Sequence, residues 1–336
     1  MSAFDKHIPS VFVVCSPFQA LCAITAIRQL EIQDYKFYAL LPRGEVRNSQ
    51  VECVLNHFDI KYTAISPTNR FEVFYYKYRP LIKRNNKYKR LFLGDFRTVF
   101  LYSVGCGVVS DNADVVYLDD GNISISLLRG RDTEPLSDND VRLLECYKKH
   151  RGFVFFKNLL TIYSDIPNSI FNIEGLQLSV IGKEHSGGSQ AVSRVYIVGT
   201  NLERFCGPLG LSEDIFVSYL DTLMKKLKAE FPGNEIVYIP HGCETKVYAE
   251  TLCEKYGVSY LKPQMMIELE LLSTPNPPKA IYGFTSTALY TLKKLFPDSK
   301  VVNIVFDSLE KDNPFVNDLL DCSKYYAQNG IEWVNV

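Results

Sequence analysis

The feature that most constrains this chain is an alternation that runs through it twice. Short β-prone runs are followed by a break and then by a longer segment of helical content. Val11-Phe-Val-Val-Cys15 is a continuous apolar run, as expected of a strand covered on both faces of a parallel sheet. Ser16-Pro17 interrupts it, and residues 18–30 then read as a helix. Residues 36–41 form the next expected strand and 48–57 the next helix, with further short strands at 61–65, 90–93 and 115–118. Strands that alternate with helices are joined by crossovers, which sets them parallel in an α/β fold.

Beyond residue 165 the alternation weakens, and residues 185–190 (HSGGSQ) are small and polar enough to read as a linker. It then restarts, with strands expected at 194–198, 235–239, 258–261, 280–283 and 300–305. Helices are expected at 213–231, 245–256 and 287–295, with 314–328 as a closing helix. The chain has 336 residues, whereas single cores stop growing at about 250–300, so two domains are expected, at 1–185 and 191–336. Two Rossmann-like α/β domains that face each other across a cleft make the GT-B architecture, and that is the expected fold class.

Composition excludes several classes of function. The 37 basic and 38 acidic residues leave a formal charge of −1, so nothing global draws the chain to nucleic acid. The nine cysteines are scattered without a CxxC pair, as expected of small buried side chains in a reducing cytoplasm rather than a disulfide framework or zinc site. The apolar stretch at 11–27 is broken by Ser16, Pro17 and Gln19 and falls short of the ~20 residues of a membrane span. It also lacks a basic leader and a cleavage site, so a cytoplasmic protein is expected.

Three strand ends carry candidate chemistry. Asp119-Asp120-Gly121 follows the strand at 115–118, at the carboxyl edge where open α/β sheets bind ligands. Adjacent carboxylates repel, so one of them can hold its proton to near neutral pH and serve as a base. An Asp-Gly pair behind a strand is also an ordinary turn. In the second half His241-Gly242 follows the run Ile236-Val-Tyr-Ile-Pro240, where an imidazole can neutralise a departing phosphate or be an idle loop residue. In the third, Thr285-Ser286-Thr287 lies between a strand and a helix. Hydroxyls at a helix N-terminus suit a phosphate, and they also suit simple capping. Glu268 and Glu270 lie between the last two sites. Either can accept hydrogen bonds from a nucleobase or ribose, although taken singly both read as solvated helix carboxylates.

In their order, these motifs resemble those of the bacterial sialyltransferases of glycosyltransferase family 52 and their relatives, the polysialyltransferases and family 80. Those enzymes carry an Asp/Glu-Asp-Gly motif, a His-Pro motif and a Ser-Ser/Thr motif in this sequence. The corresponding residues are Asp119-Asp120-Gly121, His241-Gly242 and Ser286-Thr287, with glycine in place of the proline. Ser16-Pro-Phe-Gln19 and Gly94-Asp-Phe-Arg97 are also similar. The resemblance spans roughly residues 11–305. It implies an inverting, metal-independent transfer of sialic acid from CMP-sialic acid to a glycan hydroxyl, in capsule or lipooligosaccharide synthesis.

The resemblance also implies the roles. Asp119 or Asp120 is the base, His241 with Ser286 and Thr287 binds the donor phosphate, and Glu268 contacts the cytidine. Gly199, Asn201, Gly242 and Thr285 join the donor side, and Ser16, Gln19, Asp95 and Arg97 the acceptor side or cleft. No cofactor is implied, and a homodimer is plausible on the same ground. Another nucleotide sugar, such as CMP-Kdo or a UDP-sugar, and a non-catalytic glycan- or nucleotide-binding protein remain as alternatives.

Two further segments carry charge. Asp138-Asn-Asp140 is the DxD of the chain, placed to cap a helix at 141–149 rather than to bind metal. Residues 77–90 hold seven basic side chains, Lys77, Arg79, Lys83, Arg84, Lys87, Lys89 and Arg90. They read as a solvated face or as a peripheral contact with anionic lipid or an acidic acceptor.

Overall fold

The structure, a computed structural model, describes residues 3–41, 44–82, 87–130, 136–182, 194–242, 244, 248–306 and 313–335. The expected linker at 185–190, Lys83, Arg84, Cys243 and residues 245–247 lie outside them. The chain divides into two compact units, Met1–Ile181 and Gly182–Val336.

In chain order the first unit contains β1 (Ser10–Val14), α1 (Pro17–Gln29), β2 (Tyr35–Leu40), α2 (Gly44–His57), β3 (Thr63–Ile65), α3 (Arg70–Ile82), β4 (Tyr88–Leu93) and α4 (Val99–Cys106). It continues with β5 (Val109–Leu118), α5 (Asn122–Leu128), α6 (Asp138–Arg151), β6 (Asn158–Thr161) and β7 (Asn172–Gly175). Its strands form one parallel sheet in the order β3-β2-β1-β4-β5-β6-β7. The order reverses between β1 and β4, the switch point at which such sheets open a crevice at their carboxyl edge.

Residues in register build the core of this sheet. Phe12 on β1 faces Phe37 on β2 and Phe92 on β4, with ring centroids 5.8 and 4.5 Å apart. All five residues of β1 are buried, which explains the unbroken apolar run. Arg90, the last of the basic series, is fully buried and is not a surface charge. Its guanidinium donates to the Ser10 hydroxyl (3.0 Å) and to the carbonyls of Ala3 (3.0 Å) and Asp5 (2.8 Å), and it lies over the Phe92 ring. Burial lowers its pKa to about 10. Lys77 is also committed, 2.9 Å from Asp140.

The DxD segment begins α6 three residues earlier than expected. Ser137 is its N-cap, accepting from the Asp140 N–H and donating to the Asp140 carboxylate. This reciprocal arrangement satisfies a helix N-terminus without a ligand.

The second unit contains β8 (Val195–Val198), α7 (Leu202–Leu209), α8 (Glu213–Glu230), β9 (Ile236–Ile239), α9 (Tyr248–Tyr256), β10 (Ser259–Tyr260) and α10 (Ile267–Leu272). It ends with β11 (Ala280–Gly283), α11 (Thr287–Leu295), β12 (Lys300–Val305), α12 (Pro314–Gln328) and β13 (Glu332–Asn335). Its sheet, also parallel, runs β10-β9-β8-β11-β12-β13 and reverses between β8 and β11. Phe216 of α8 packs on Phe284 and Phe306, at 4.9 and 6.0 Å between ring centroids, and closes the core over the sheet.

Cys15, Cys22, Cys106, Cys206, Cys253 and Cys322 are buried, Cys53 is partly exposed and Cys146 exposed. Among the described residues no helix is long and apolar enough to cross a membrane.

Candidate functional site

In the first unit the motifs gather at the carboxyl ends of three adjacent strands, β1, β4 and β5. Ser16 ends the loop after β1 and caps α1, accepting from the Gln19 N–H at 3.2 Å. That cap places Gln19 in the first helical turn, where its carbonyl accepts from the Cys15 N–H (2.9 Å) and its amide donates to Asp120 Oδ1 (2.7 Å). Arg97 Nη2 donates to the other Asp120 oxygen at 2.9 Å. Arg97 is itself oriented by Asp95, which accepts from its backbone N–H (2.8 Å) and its Nε (3.3 Å), and from Thr98 Oγ1 (2.8 Å). Ser16, Gln19, Asp95, Arg97 and Asp120 thus form one connected cluster.

The two carboxylates of the Asp-Asp-Gly motif have different settings. Asp119 is fully buried and each of its oxygens accepts twice. One takes the Gly121 N–H (2.8 Å) and Ser124 Oγ (3.0 Å), the other the Ile162 N–H (2.9 Å) and Thr161 Oγ1. Burial raises it to about 6, against the downward pull of these donors. Gly121 sits at φ 77°, a conformation open to glycine, and this lets its N–H turn back onto Asp119. Asp120 keeps 11 % of its side chain exposed. Burial first, and then Asp95, raises it to about 7, with Gln19 and Arg97 opposing. Of the pair, Asp119 braces the loop, and Asp120 is the carboxylate that a solvent-borne hydroxyl can reach.

In the second unit the candidates follow β8, β9 and β11, again adjacent. Gly199 donates its N–H to the Ile239 carbonyl at 2.8 Å. A β-carbon there would lie 2.6 Å from the Tyr238 hydroxyl and 2.7 Å from the Glu244 carboxylate. Asn201 lies just ahead of α7. His241 and Gly242 are exposed behind β9. Their loop is held by Glu244, whose carboxylate accepts from the His241 N–H (3.1 Å) and the Tyr238 hydroxyl (3.1 Å). Burial raises the pKa of Glu244, and these donors oppose the shift.

Ser286 is the N-cap of α11, accepting from the Ala288 N–H at 3.3 Å, and Thr287 is the first residue of that helix. Thr285 has φ 36°, strained for a β-branched residue. Asn303 of β12 holds it there, accepting from its N–H (2.6 Å) and its hydroxyl (3.1 Å), and the hydroxyl also meets Ser323 Oγ at 3.1 Å. The Thr285 side chain therefore serves this buried network rather than facing out with Ser286. Glu268, read singly as a solvated helix carboxylate, is instead 4 % exposed. It accepts from Thr291 Oγ1 of α11 at 2.6 Å, and burial raises its pKa. Glu270 is half-buried.

Glu244 and Asn303 were not anticipated. Asn303 carries a signal in the sequence, as the one polar residue in the run 301–306. Glu244 has only its position three residues after His241. Among the described residues no cluster of His, Cys, Asp and Glu is arranged to hold a metal ion.

No family model matches the chain, and no curated protein sequence matches it. Solved structures do share its fold. The GT-B domain of a sialyltransferase from Photobacterium damselae is 12 % identical, with a TM-score of 0.53 over 97 % of this chain and 99 % of that one. MnaA from S. aureus, solved with UDP, is 11 % identical, with a TM-score of 0.50 over 96 % of this chain and 88 % of that one. With two parallel sheets of Rossmann-like order, these likenesses show the GT-B fold.

Proposed function

We propose that the chain is an inverting glycosyltransferase that moves sialic acid from CMP-sialic acid to a hydroxyl of a glycan acceptor. The observation that carries this reading is the setting of Asp120. It is a carboxylate at the carboxyl edge of the sheet, held on both oxygens by Gln19 and Arg97 and raised to about 7 by burial. A base of that pKa takes a hydroxyl proton effectively near neutral pH.

In the proposed reaction Asp120 accepts the acceptor's proton as its oxygen attacks the anomeric carbon, with inversion. The bond from that carbon to the phosphate oxygen breaks, and CMP leaves with the electron pair. Electrostatic stabilisation of the leaving phosphate falls to His241, the Ser286 and Thr287 hydroxyls and the N-terminus of α11. Glu268, Gly199, Asn201 and Gly242 are assigned to the donor side and Ser16, Asp95 and Arg97 to the acceptor side. The motif order and the fold shared with the Photobacterium enzyme support a CMP-sugar. The fold shared with MnaA, solved with UDP, supports a UDP-sugar as a second reading. A binding protein without turnover has no need of Asp120's raised pKa.

Calorimetric titration with CMP, UDP and GDP, repeated on Ser286→Ala, tests the donor side. Selective CMP binding that weakens about fivefold in the variant is expected from loss of one hydroxyl donor. Preference for UDP or GDP would discard the sialyl donor and leave the fold and the base intact.

A further inference from the structure

Among the described residues helix α3 is held on one side only. Tyr76 packs edge-on against Phe100 of α4 at 5.6 Å, Lys77 pairs with Asp140 of α6, and the Lys77 and Pro80 carbonyls accept from Tyr147 and Arg151 of α6. The opposite side is apolar and uncovered. Phe71 is 87 % exposed, Phe74 60 %, Tyr75 59 %, Tyr78 42 % and Ile82 83 %. At about 100° per residue these five positions fall within an arc of about 100° and a length of about 16 Å. Five large apolar side chains on one exposed stripe are more than the scattered surface hydrophobics of a soluble domain.

The charge beside the stripe is mainly basic. On α3 itself Arg70 and Arg79 flank it on either side, and Glu72 is the sole acidic residue of the helix. From Glu72 to Asp95 the sequence contains no acidic residue. Lys89 is exposed at the start of β4, the next strand, where Lys87 pairs with Asp34 at 3.0 Å. A second copy docked face to face would set these basic flanks against their own equivalents, since a twofold interface repeats the same patch on both sides. An anionic lipid surface complements both features at once: aromatic and aliphatic side chains enter the headgroup boundary while basic side chains stay at the charged surface.

We infer that the α3 face docks on an anionic membrane surface, through Phe71, Phe74, Tyr75, Tyr78 and Ile82 with Arg70 at the rim. This moves the membrane contact away from Lys77 and Arg90, which the fold uses internally, and it does not depend on the reaction proposed above.

The test is co-sedimentation with vesicles of phosphatidylcholine alone and of equimolar phosphatidylcholine and phosphatidylglycerol. Wild type is expected on the anionic vesicles, more weakly as salt rises. The triple variant Phe71→Ser, Phe74→Ser, Ile82→Ser and the charge variant Arg70→Glu should each reduce partitioning about tenfold or more. Both alter exposed positions, and an unchanged thermal melt and nucleotide titration confirm that each is folded. Equal binding to the two vesicle types, or wild-type partitioning by the triple variant, would overturn the inference. So would a triple variant that turns a dimer into a monomer in analytical ultracentrifugation while vesicle binding stays as in wild type.

Discussion

The two units share a strand order and present opposite chemistry at the same place in it. Beside the switch point of the first sheet the ends of β4 and β5 carry three carboxylates, Asp95, Asp119 and Asp120, with Gln19 and Arg97 bound to Asp120. At that of the second the strand ends carry glycine, hydroxyls and a helix N-terminus, with His241 exposed one strand further out. On the proposed reading one edge holds a proton and the other receives an anion. A parallel sheet provides the crevice in both cases, and the residues directly behind each strand decide which chemistry it can perform.

The sharpest way to break that contrast is within the first unit. Asp120→Asn is expected to lower turnover about 10³-fold while leaving thermal unfolding close to wild type. Asp119→Ala is expected to do the reverse damage. It strands four buried donors, at about 3 kcal/mol or more of stability, read by urea unfolding. Equal effects of the two substitutions on stability would remove the division between a bracing and a reactive carboxylate.

In the second unit His241→Ala should lower kcat about tenfold or more through loss of phosphate neutralisation. Glu244→Gln should act less, about threefold on nucleotide affinity, because it touches the His241 loop through one charge-assisted hydrogen bond. A change in the pH–rate profile of Glu244→Gln would mean that this carboxylate takes part in proton transfer.

The smallest expected effects are shifts in pH dependence. A base must be deprotonated, so kcat/KM should rise with pH through the Asp120 pKa of about 7. The charge of Arg97 lowers that pKa and the charge of Asp95 raises it. Arg97→Ala should therefore move the acidic limb to higher pH and Asp95→Asn to lower pH. Shifts in the same direction would show that another group titrates.

Most helices and strands of the second unit from α8 onward could be read from sequence, α10 and β13 excepted. They alternate clearly: β11, α11, α12 and the strand at 300–305 coincide with the expected spans. In the first unit α3 and α4 were missed because neither has an ordinary amphipathic pattern. α4 is buried on nearly every side, and α3 is apolar on the side it exposes. β13 was missed because its four residues are partly exposed at a sheet edge.

At the site the motif residues could be found in the sequence, but their division of labour could not. Asp119 and Asp120 are neighbours of one type, and their settings separate through distant residues, Thr161 and Ile162 at Asp119 and Gln19 at Asp120. Thr285 and Ser286 differ likewise because Asn303 draws one of them inward. Glu268 looked solvated because the partner that buries it, Thr291, belongs to another helix.

The most direct test is the pH–rate profile of acceptor-dependent CMP release from CMP-sialic acid, over a panel of soluble oligosaccharides. The account predicts release whose kcat/KM climbs through a pH of about 7 and which Asp120→Asn lowers about 10³-fold. Consumption of a UDP-sugar in place of CMP-sialic acid, or release that proceeds at the wild-type rate in Asp120→Asn, would contradict it.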